Sequence, residues 1–420
     1  MMEKKRIDAL QASRKSLISI YILCRVLIEI VKQSPDDVDE NMNSKLEEIV
    51  FTQLKITDPM SISTSIIKSS NWNSFAKILG SMSESKFLSV SDRFIAELEK
   101  FPKTISQEME PHAHLLILGM RYLKLKHYPL ENFEQSADFM KSISKFFART
   151  ENVSIRLAYA DVTTQLLLSL AGVVTVEINH PTWIDAMETL YKCTKKLIQN
   201  TKCWSVGFTL GVSILCVSPP QLFTERWMKL LESNNDKIKT NDISERGIYA
   251  IGLSRLVWVY LYRSSETLNN TIRTLTTLLQ LYLNPKKKEN WLTTDFSLIN
   301  PLSDSLVSIG FLYPEFLMET AMLPLIKQSF NGANLDINNY DKLLLAIATY
   351  RRFLITDKKP SFPEATSRAY LTDLNRITTT INDPLYSSYE EICLYIYKLF
   401  ILLDSNIGSE VWSPENMHQK

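Results

Sequence analysis

Apolar residues recur at intervals of three or four along almost the whole chain, and this spacing constrains the fold more than any other feature. From Glu131 onward they fall at Phe133, Ala137, Met140, Ile143 and Phe147. Residues at these intervals share one face of an α-helix. The sequence therefore predicts a succession of amphipathic helices.

Prolines and capping residues mark where these helices begin. Ser218 precedes Pro219 and Pro220, so a hydroxyl can cap a helix whose first residues need no N–H group. The pairs 300–301 and 313–314 are weaker versions of this signal. Breaks between helices are also predicted at Pro35, Pro59, Pro111, Pro129 and Pro181. The blocks between the breaks give roughly sixteen helices of about 12 to 22 residues.

The length of the chain and the size of these blocks predict the architecture. A chain of 420 residues exceeds the usual limit of one compact domain, and its ten glycines are few. Helix pairs of roughly 40 residues are typical of HEAT and armadillo repeats, which need matching apolar faces rather than a strict consensus. We predict an all-α fold, an irregular HEAT/armadillo-like α-solenoid of helical hairpins. It covers residues 1–404 and is followed by a flexible tail over 405–420.

Three other segments stand out from the helical pattern. Residues 233–241 and 331–339 are rich in Asn and Asp and predict longer exposed loops. Residues 171–178 have the β-branched density of a strand. A lone strand has nothing to pair with, so this run is interpreted as a helix end and a loop.

Charge and cysteine content limit the partners and the compartment. The formal net charge is +1, so no overall field attracts nucleic acid. The five cysteines contain no CxxC pair and predict buried thiols in a reducing compartment. No signal peptide is recognisable, and the most apolar stretches are too short to span a bilayer. These features predict a soluble, cytoplasmic protein.

The chain shows no motif for catalysis, cofactor binding or metal binding. His112 and His114 follow a predicted helix start, and two residues at this spacing diverge on a helix. His180 is expected at a turn. There is no Gly-rich phosphate loop and no nucleophile elbow. The carboxylate pairs Glu47–Glu48 and Glu390–Glu391 are interpreted as solvated. We therefore predict no catalytic, cofactor-binding or metal-binding residue and no enzyme.

The large aromatic residues and one pair of glycines are interpreted as packing residues. The aromatic side chains could stack on bases or anchor a peptide, but at helical spacing they more often fill cores. This group comprises Trp227, Trp258, Tyr260, Tyr262 and Trp291. Gly207 and Gly211 lie four residues apart, which favours a close contact between helices.

Five blocks in register resemble the N-terminal region of the Furry family of cell-morphogenesis proteins: residues 21–35, 85–98, 118–140, 215–218 and 255–260. The clearest match extends from about residue 17 to 265. The resemblance implies a scaffold that binds NDR/LATS-family kinases and their Mob coactivators and promotes kinase activation. It also implies action at the cell cortex or at sites of polarised growth. Family members are much longer, so the chain is either a fragment or a shortened member.

Charged residues near these blocks, together with the separate lysine triplet 286–288, are the predicted partner-binding positions: Arg25, Lys124, Lys126, Arg255, Arg263, Lys286, Lys287 and Lys288. Two other functions stay open. A solenoid that binds microtubules or cargo would use the lysine triplet 286–288 against an acidic surface. An enzyme would need a buried polar cluster with metal around His112 or His180.

Overall fold

The computed structural model describes residues 2–33, 40–283, 296–331, 334–335, 340–356 and 358–363. Within these ranges the chain is almost entirely helical, so the predicted all-α fold is confirmed. The predicted tail over 405–420 and the triplet 286–288 lie outside the described residues. The chain divides into two units, Met1–Pro219 and Pro220–Lys420.

The first unit is built from ten α-helices in its described part. They are α1 (Met2–Gln33), α2 (Glu40–Ile56), α3 (Pro59–Thr64), α4 (Ile66–Met82), α5 (Phe87–Glu99), α6 (Glu110–Gly119), α7 (Leu130–Arg149), α8 (Val153–Ala171), α9 (Pro181–Ile198) and α10 (Trp204–Cys216). Prolines stand at or next to the start of α3, α6, α7 and α9, as predicted. Side chains cap several helices; for example, the Asn152 amide oxygen accepts from the Ile155 N–H at 3.1 Å.

From α5 to α10, each helix packs on the helix two places away. In one row α5 contacts α7 and α7 contacts α9, and in a second row α6 contacts α8 and α8 contacts α10. At the N-terminal side α4 packs against α1 and α2. Large side chains between the rows are fully buried, among them Phe94, Phe133, Phe147, Trp183 and Phe208. This is the packing of stacked helical repeats.

Polar contacts between successive repeats reveal the repeat length. The Arg93 guanidinium contacts the Glu47 carboxylate 46 residues earlier. Arg121 donates to Asp161, 40 residues later, at 2.8 Å. Lys55 donates to Glu97, 42 residues later, at 3.0 Å. Equal positions of neighbouring repeats therefore lie about one predicted helix pair apart in sequence.

The second unit has seven α-helices in its described part. They are α11 (Pro220–Glu232), α12 (Ile243–Arg263), α13 (Leu268–Leu283), α14 (Phe296–Leu312), α15 (Pro314–Leu317), α16 (Leu323–Gln328) and α17 (Tyr340–Ile355). A π-helical turn, Met318–Met322, joins α15 to α16. Helix α14 packs against both α12 and α17. Two short antiparallel strands, β1 (Phe330–Asn331) and β2 (Asn334–Leu335), lie within the predicted loop 331–339 or beside it.

Three local predictions are wrong. Pro301 does not start a helix, because α14 begins five residues earlier. It lies in the second turn, where its missing N–H removes one backbone hydrogen bond of the helix. The Ser218 hydroxyl does not cap the next helix but donates to the Ile214 carbonyl at 2.7 Å. The segment 233–241 is not simply exposed, because Asn234 and Ile238 are buried. By contrast, residues 171–178 form a helix end and a loop, as predicted.

Candidate interaction surfaces

Helix α1 is apolar on two opposite faces. One face carries Cys24, Ile28 and Val31, which are buried, and α1 packs against α4. The other face carries Ile18, Ile22, Val26 and Ile30, each about half exposed at 46–57%. Their spacing of four places them along one side of the helix. We call these four residues the outer stripe of α1. Such an exposed apolar row is typical of a protein contact.

Arg25 lies beside the outer stripe and is exposed. Its neighbour Val26 belongs to the stripe, so Arg25 borders an exposed apolar surface. An apolar partner with an acidic group at its rim would match this arrangement.

Lys124 and Lys126 lie in an extended segment between the turn Met120–Tyr122 and α7. The side chains of Leu123 and Leu125 are buried, whereas Lys124 is exposed and Lys126 is half-buried. This alternation is that of an extended backbone, where successive side chains point to opposite sides. The two lysines therefore share one outward side.

Two buried serines hold the backbone of this segment. The Lys124 N–H donates to Ser83 Oγ, and the Lys126 N–H donates to Ser136 Oγ, both at 2.9 Å. Each serine hydroxyl in turn donates to a helix carbonyl, Ser83 to Gly80 at 2.7 Å and Ser136 to Asn132 at 3.2 Å. Neither serine side chain is exposed to solvent. The positions of the two lysines are thus fixed by side chains of α7 and of the end of α4.

Gly80 permits a close approach at the same place. A Cβ atom on Gly80 would lie 2.5 Å from Tyr122 Cβ, which is closer than carbon atoms pack. Glycine at this position lets α4 touch the turn that precedes the lysine segment.

Arg255 is not a surface residue. It is 4% exposed, and its Nε–H donates to the Pro363 carbonyl at 3.1 Å. Segment 358–363 covers Arg255, so this side chain is not exposed to a partner while the segment is in place. Its neighbour Trp258 is 3% exposed and donates from Nε1 to the Pro360 carbonyl at 2.8 Å.

Arg263 is half-buried at the end of α12 and belongs to a group of cations and rings. Its guanidinium carbon lies 5.5 Å from the centre of the Trp258 ring. The Lys359 ammonium lies 4.7 Å from the Trp258 ring centre and 4.6 Å from that of Tyr262. Burial, together with the nearby charge of Arg263, lowers the pKa of Lys359. Burial raises the pKa of the Tyr262 hydroxyl.

The interpretation as packing residues is confirmed for Trp227, Tyr260 and Gly207. Trp227, Trp258 and Tyr260 are buried, and the rings of Trp227 and Tyr260 stack at 4.7 Å. A Cβ atom on Gly207 would lie 2.7 Å from Leu197 Cβ. Trp291 lies outside the described residues.

One carboxylate that was expected to be solvated is buried. Glu47 is 2% exposed, and it accepts from Ser89 Oγ at 2.9 Å and contacts the Arg93 guanidinium. Its neighbour Glu48 is exposed. The expectation for Glu47 is wrong because it faces α5, where a cation and a hydroxyl satisfy it.

The histidines in the described ranges do not join a cluster of three or more ligating groups. His112 is exposed, and burial lowers the pKa of His114. His180 precedes α9, with Nε2 3.9 Å from Glu134 Oε1. Among the described residues, no group of three or more His, Cys, Asp or Glu side chains is placed to hold a metal ion.

A cavity of about 210 Å³ opens between α13 and the helical segment 320–328. The described residues of its wall include no ionisable side chain; they are Thr276, Leu279, Gln280, Leu283, Thr320, Ala321, Pro324, Leu325 and Gln328. None of the helices in the described ranges has the length and apolarity needed to cross a membrane.

Comparison with known proteins places the chain in a family. The family profile described as "Cell morphogenesis N-terminal" matches residues 13–420. The chain is 64% identical over all 420 residues to "Cell morphogenesis protein PAG1" of Saccharomyces cerevisiae, and it covers 18% of that protein. It is 30% identical over 398 residues to "Cell polarity protein mor2" of Schizosaccharomyces pombe; the match covers 92% of this chain and 18% of that protein. The chain thus spans less than a fifth of the length of either relative. No solved structure matches.

Proposed function

This chain belongs to the Furry-type family of cell-morphogenesis proteins, and on that basis we propose that it is a non-catalytic scaffold for an NDR/LATS-family kinase and its Mob coactivator. Its relatives are named for cell morphogenesis and cell polarity, which supports a role in the same processes. We place its action in the cytoplasm, at the cell cortex or at sites of polarised growth.

The outer stripe of α1 is the observation that carries the scaffold proposal. A soluble protein rarely leaves a row of large apolar side chains half exposed on one helix unless another protein covers it. The neighbouring Arg25 adds a charge that can orient the partner. We assign this face to the kinase–Mob complex, which would present an apolar surface with an acidic rim.

A binding titration tests the proposal. The purified 420-residue chain is titrated with the cognate kinase–Mob complex, with the kinase alone and with Mob alone. Saturable binding at micromolar affinity or tighter is expected for the complex, and the two single-protein titrations show which partner makes the contact.

Charge substitutions locate the contact. Ile22→Glu places a charge in the middle of the stripe and should weaken binding by about tenfold or more, as for a central interface residue. Leu88→Glu on α5 is the matched control, since Leu88 has the same size as Ile22 and is also about half exposed, at 51%. Absence of binding by the unmodified chain overturns the scaffold proposal for this region. Equal affinity of Ile22→Glu and Leu88→Glu removes the contact from α1.

A further inference from the structure

One face of α12 holds an extended segment of the same unit in the manner of a peptide-recognition site. The residues on this face are Arg255, Trp258 and Tyr262, spaced by three and four, so their side chains share one side of the helix. The segment 359–363 reads Lys-Pro-Ser-Phe-Pro and has no regular secondary structure. We call it the Pro-flanked segment.

Two buried side-chain donors fix the backbone of the Pro-flanked segment. Trp258 Nε1–H donates to the Pro360 carbonyl at 2.8 Å, and Arg255 Nε–H donates to the Pro363 carbonyl at 3.1 Å. The two acceptors are three residues apart. In a polyproline II conformation, three residues make one turn, so carbonyls at this spacing point to the same side. Two side chains one turn apart on α12 thus donate hydrogen bonds to two carbonyls of an extended, proline-containing chain.

Side chains of the Pro-flanked segment also contact α12, and these contacts favour particular residue types in the bound segment. The Phe362 ring packs edge-on against Trp258, with ring centres 5.4 Å apart. The Lys359 ammonium lies over Trp258 and Tyr262. Ser361 between them is exposed and contributes little to the contact. The order of features is therefore cation, proline, any residue, aromatic residue, proline.

This combination matches the chemistry by which folded domains recognise proline-rich peptides: aromatic walls, a donor to a carbonyl, and prolines that keep the ligand extended. We propose that the α12 face is a binding site for a partner peptide of the class Lys-Pro-x-aromatic-Pro, and that residues 359–363 occupy it in cis. This site is separate from the α1 face and goes beyond the kinase–Mob scaffold. A partner that carries such a peptide binds by displacing the resident segment.

The resident segment sets how the test must be made. A tethered segment competes at an effective concentration in the millimolar range, so a peptide in solution binds the unmodified chain weakly. Weakening the resident segment, and not the α12 face, exposes the site. Phe362→Ala removes the ring that contacts Trp258 and leaves both donors of α12 unchanged.

The probe is a fluorescein-labelled peptide with the sequence Lys-Lys-Pro-Ser-Phe-Pro, measured by fluorescence anisotropy with the full 420-residue chain. We expect the Phe362→Ala chain to bind it at least about tenfold more tightly than the unmodified chain. Ser361→Ala is the matched control and should bind as the unmodified chain does. Phe362→Leu, which keeps an apolar side chain, should give a smaller gain and covers the case in which Phe362→Ala does not fold.

Two further measurements decide whether the peptide binds at the α12 face. In the Phe362→Ala background, Trp258→Phe keeps an aromatic ring but removes the donor to Pro360, and should abolish the gain. A probe with alanine in place of its phenylalanine should also bind at least about tenfold more weakly. The proposal is overturned if neither Phe362 variant gains affinity, or if Trp258→Phe or the altered probe leaves the gain intact. These outcomes do not depend on kinase–Mob binding, so the two proposals fail separately.

Discussion

The buried hydroxyl of Ser83 holds the backbone of the lysine segment 123–126, and removing it should loosen this segment. Ser83→Ala removes the acceptor of the Lys124 N–H and the donor to the Gly80 carbonyl, while it changes the side-chain volume by one oxygen atom. The side chain is fully buried, so water cannot replace the hydroxyl without rearrangement.

The magnitude follows from the unsatisfied backbone group. Leaving the partly buried Lys124 N–H without its acceptor costs about 1–3 kcal/mol. For a unit the size of Met1–Pro219, each kcal/mol lowers the melting temperature by about 2–4 °C. Locally, the same free energy would speed exchange of the Lys124 amide hydrogen by about 5- to 150-fold.

Hydrogen exchange followed by mass spectrometry separates this effect from general loosening. Ser83→Ala should speed exchange at Lys124 but not at Lys126, whose N–H is held by Ser136, and Ser136→Ala should do the reverse. Ser85→Ala is the control, since this serine is exposed and its hydroxyl makes only a 3.4 Å bond to Met82. Equal exchange at Lys124 in the Ser83→Ala and Ser85→Ala chains would show that Ser83 does not hold this N–H.

Three other predictions concern packing, a buried ion pair and pH. Gly207→Ala should lower stability by about 1–2 kcal/mol in urea denaturation, because the added Cβ meets Leu197 at 2.7 Å and the overpacking outweighs the gain in helix propensity. Arg93→Met should cost about 2–3 kcal/mol, because it leaves the Glu47 carboxylate buried without its cation, and a second change, Glu47→Met, should restore most of this loss. Burial lowers the pKa of His114, so the unfolded chain binds a proton at this residue more readily than the folded chain. The contribution of His114 to stability is therefore complete above about pH 6.5 and is lost as the pH falls through the folded pKa. His114→Gln should flatten the pH dependence of the melting temperature in this range.

A neighbouring exposed residue serves as the control for the ion pair. Glu48→Met should change stability much less than Glu47→Met alone, because Glu48 is exposed. A Gly207→Ala chain as stable as the unmodified one would contradict the close helix contact. An Arg93→Met loss that Glu47→Met does not reduce would show that Arg93 acts through packing alone.

The sequence predicted those parts of the fold that depend on local chemistry. Apolar periodicity places residues such as Phe133 and Phe147 in the core, and prolines such as Pro59 and Pro181 start helices. Both signals act within one helix, so they can be recognised without knowing the neighbouring repeat. Pro301 departs from this rule because it lies in the second turn of α14, where its missing N–H leaves the carbonyl four residues earlier without its helical partner.

The burial of individual charges could not be predicted, because it depends on residues about 40 or more positions away. Glu47 and Glu48 are adjacent and chemically alike, yet Arg93 on the next repeat buries the first and leaves the second exposed. Arg255 is similar, since its acceptor is the carbonyl of Pro363, 108 residues later. Which of these charged residues is buried depends on how distant segments pack on one another. A local sequence pattern carries no information about that packing.

The same alignment separates charges that hold repeats together from charges that can meet a partner. Arg93 and Arg121 each contact a carboxylate one repeat away, so their substitution should change stability first. Arg25 and Lys124 are exposed on the surface of the first unit, so their substitution should change binding with little effect on stability. If Arg25→Glu and Lys124→Glu leave the melting temperature unchanged and weaken kinase–Mob binding, the interface lies on the surface of the first unit. If they change neither property, the contact is made by the apolar stripe of α1 alone, which Ile22→Glu tests directly.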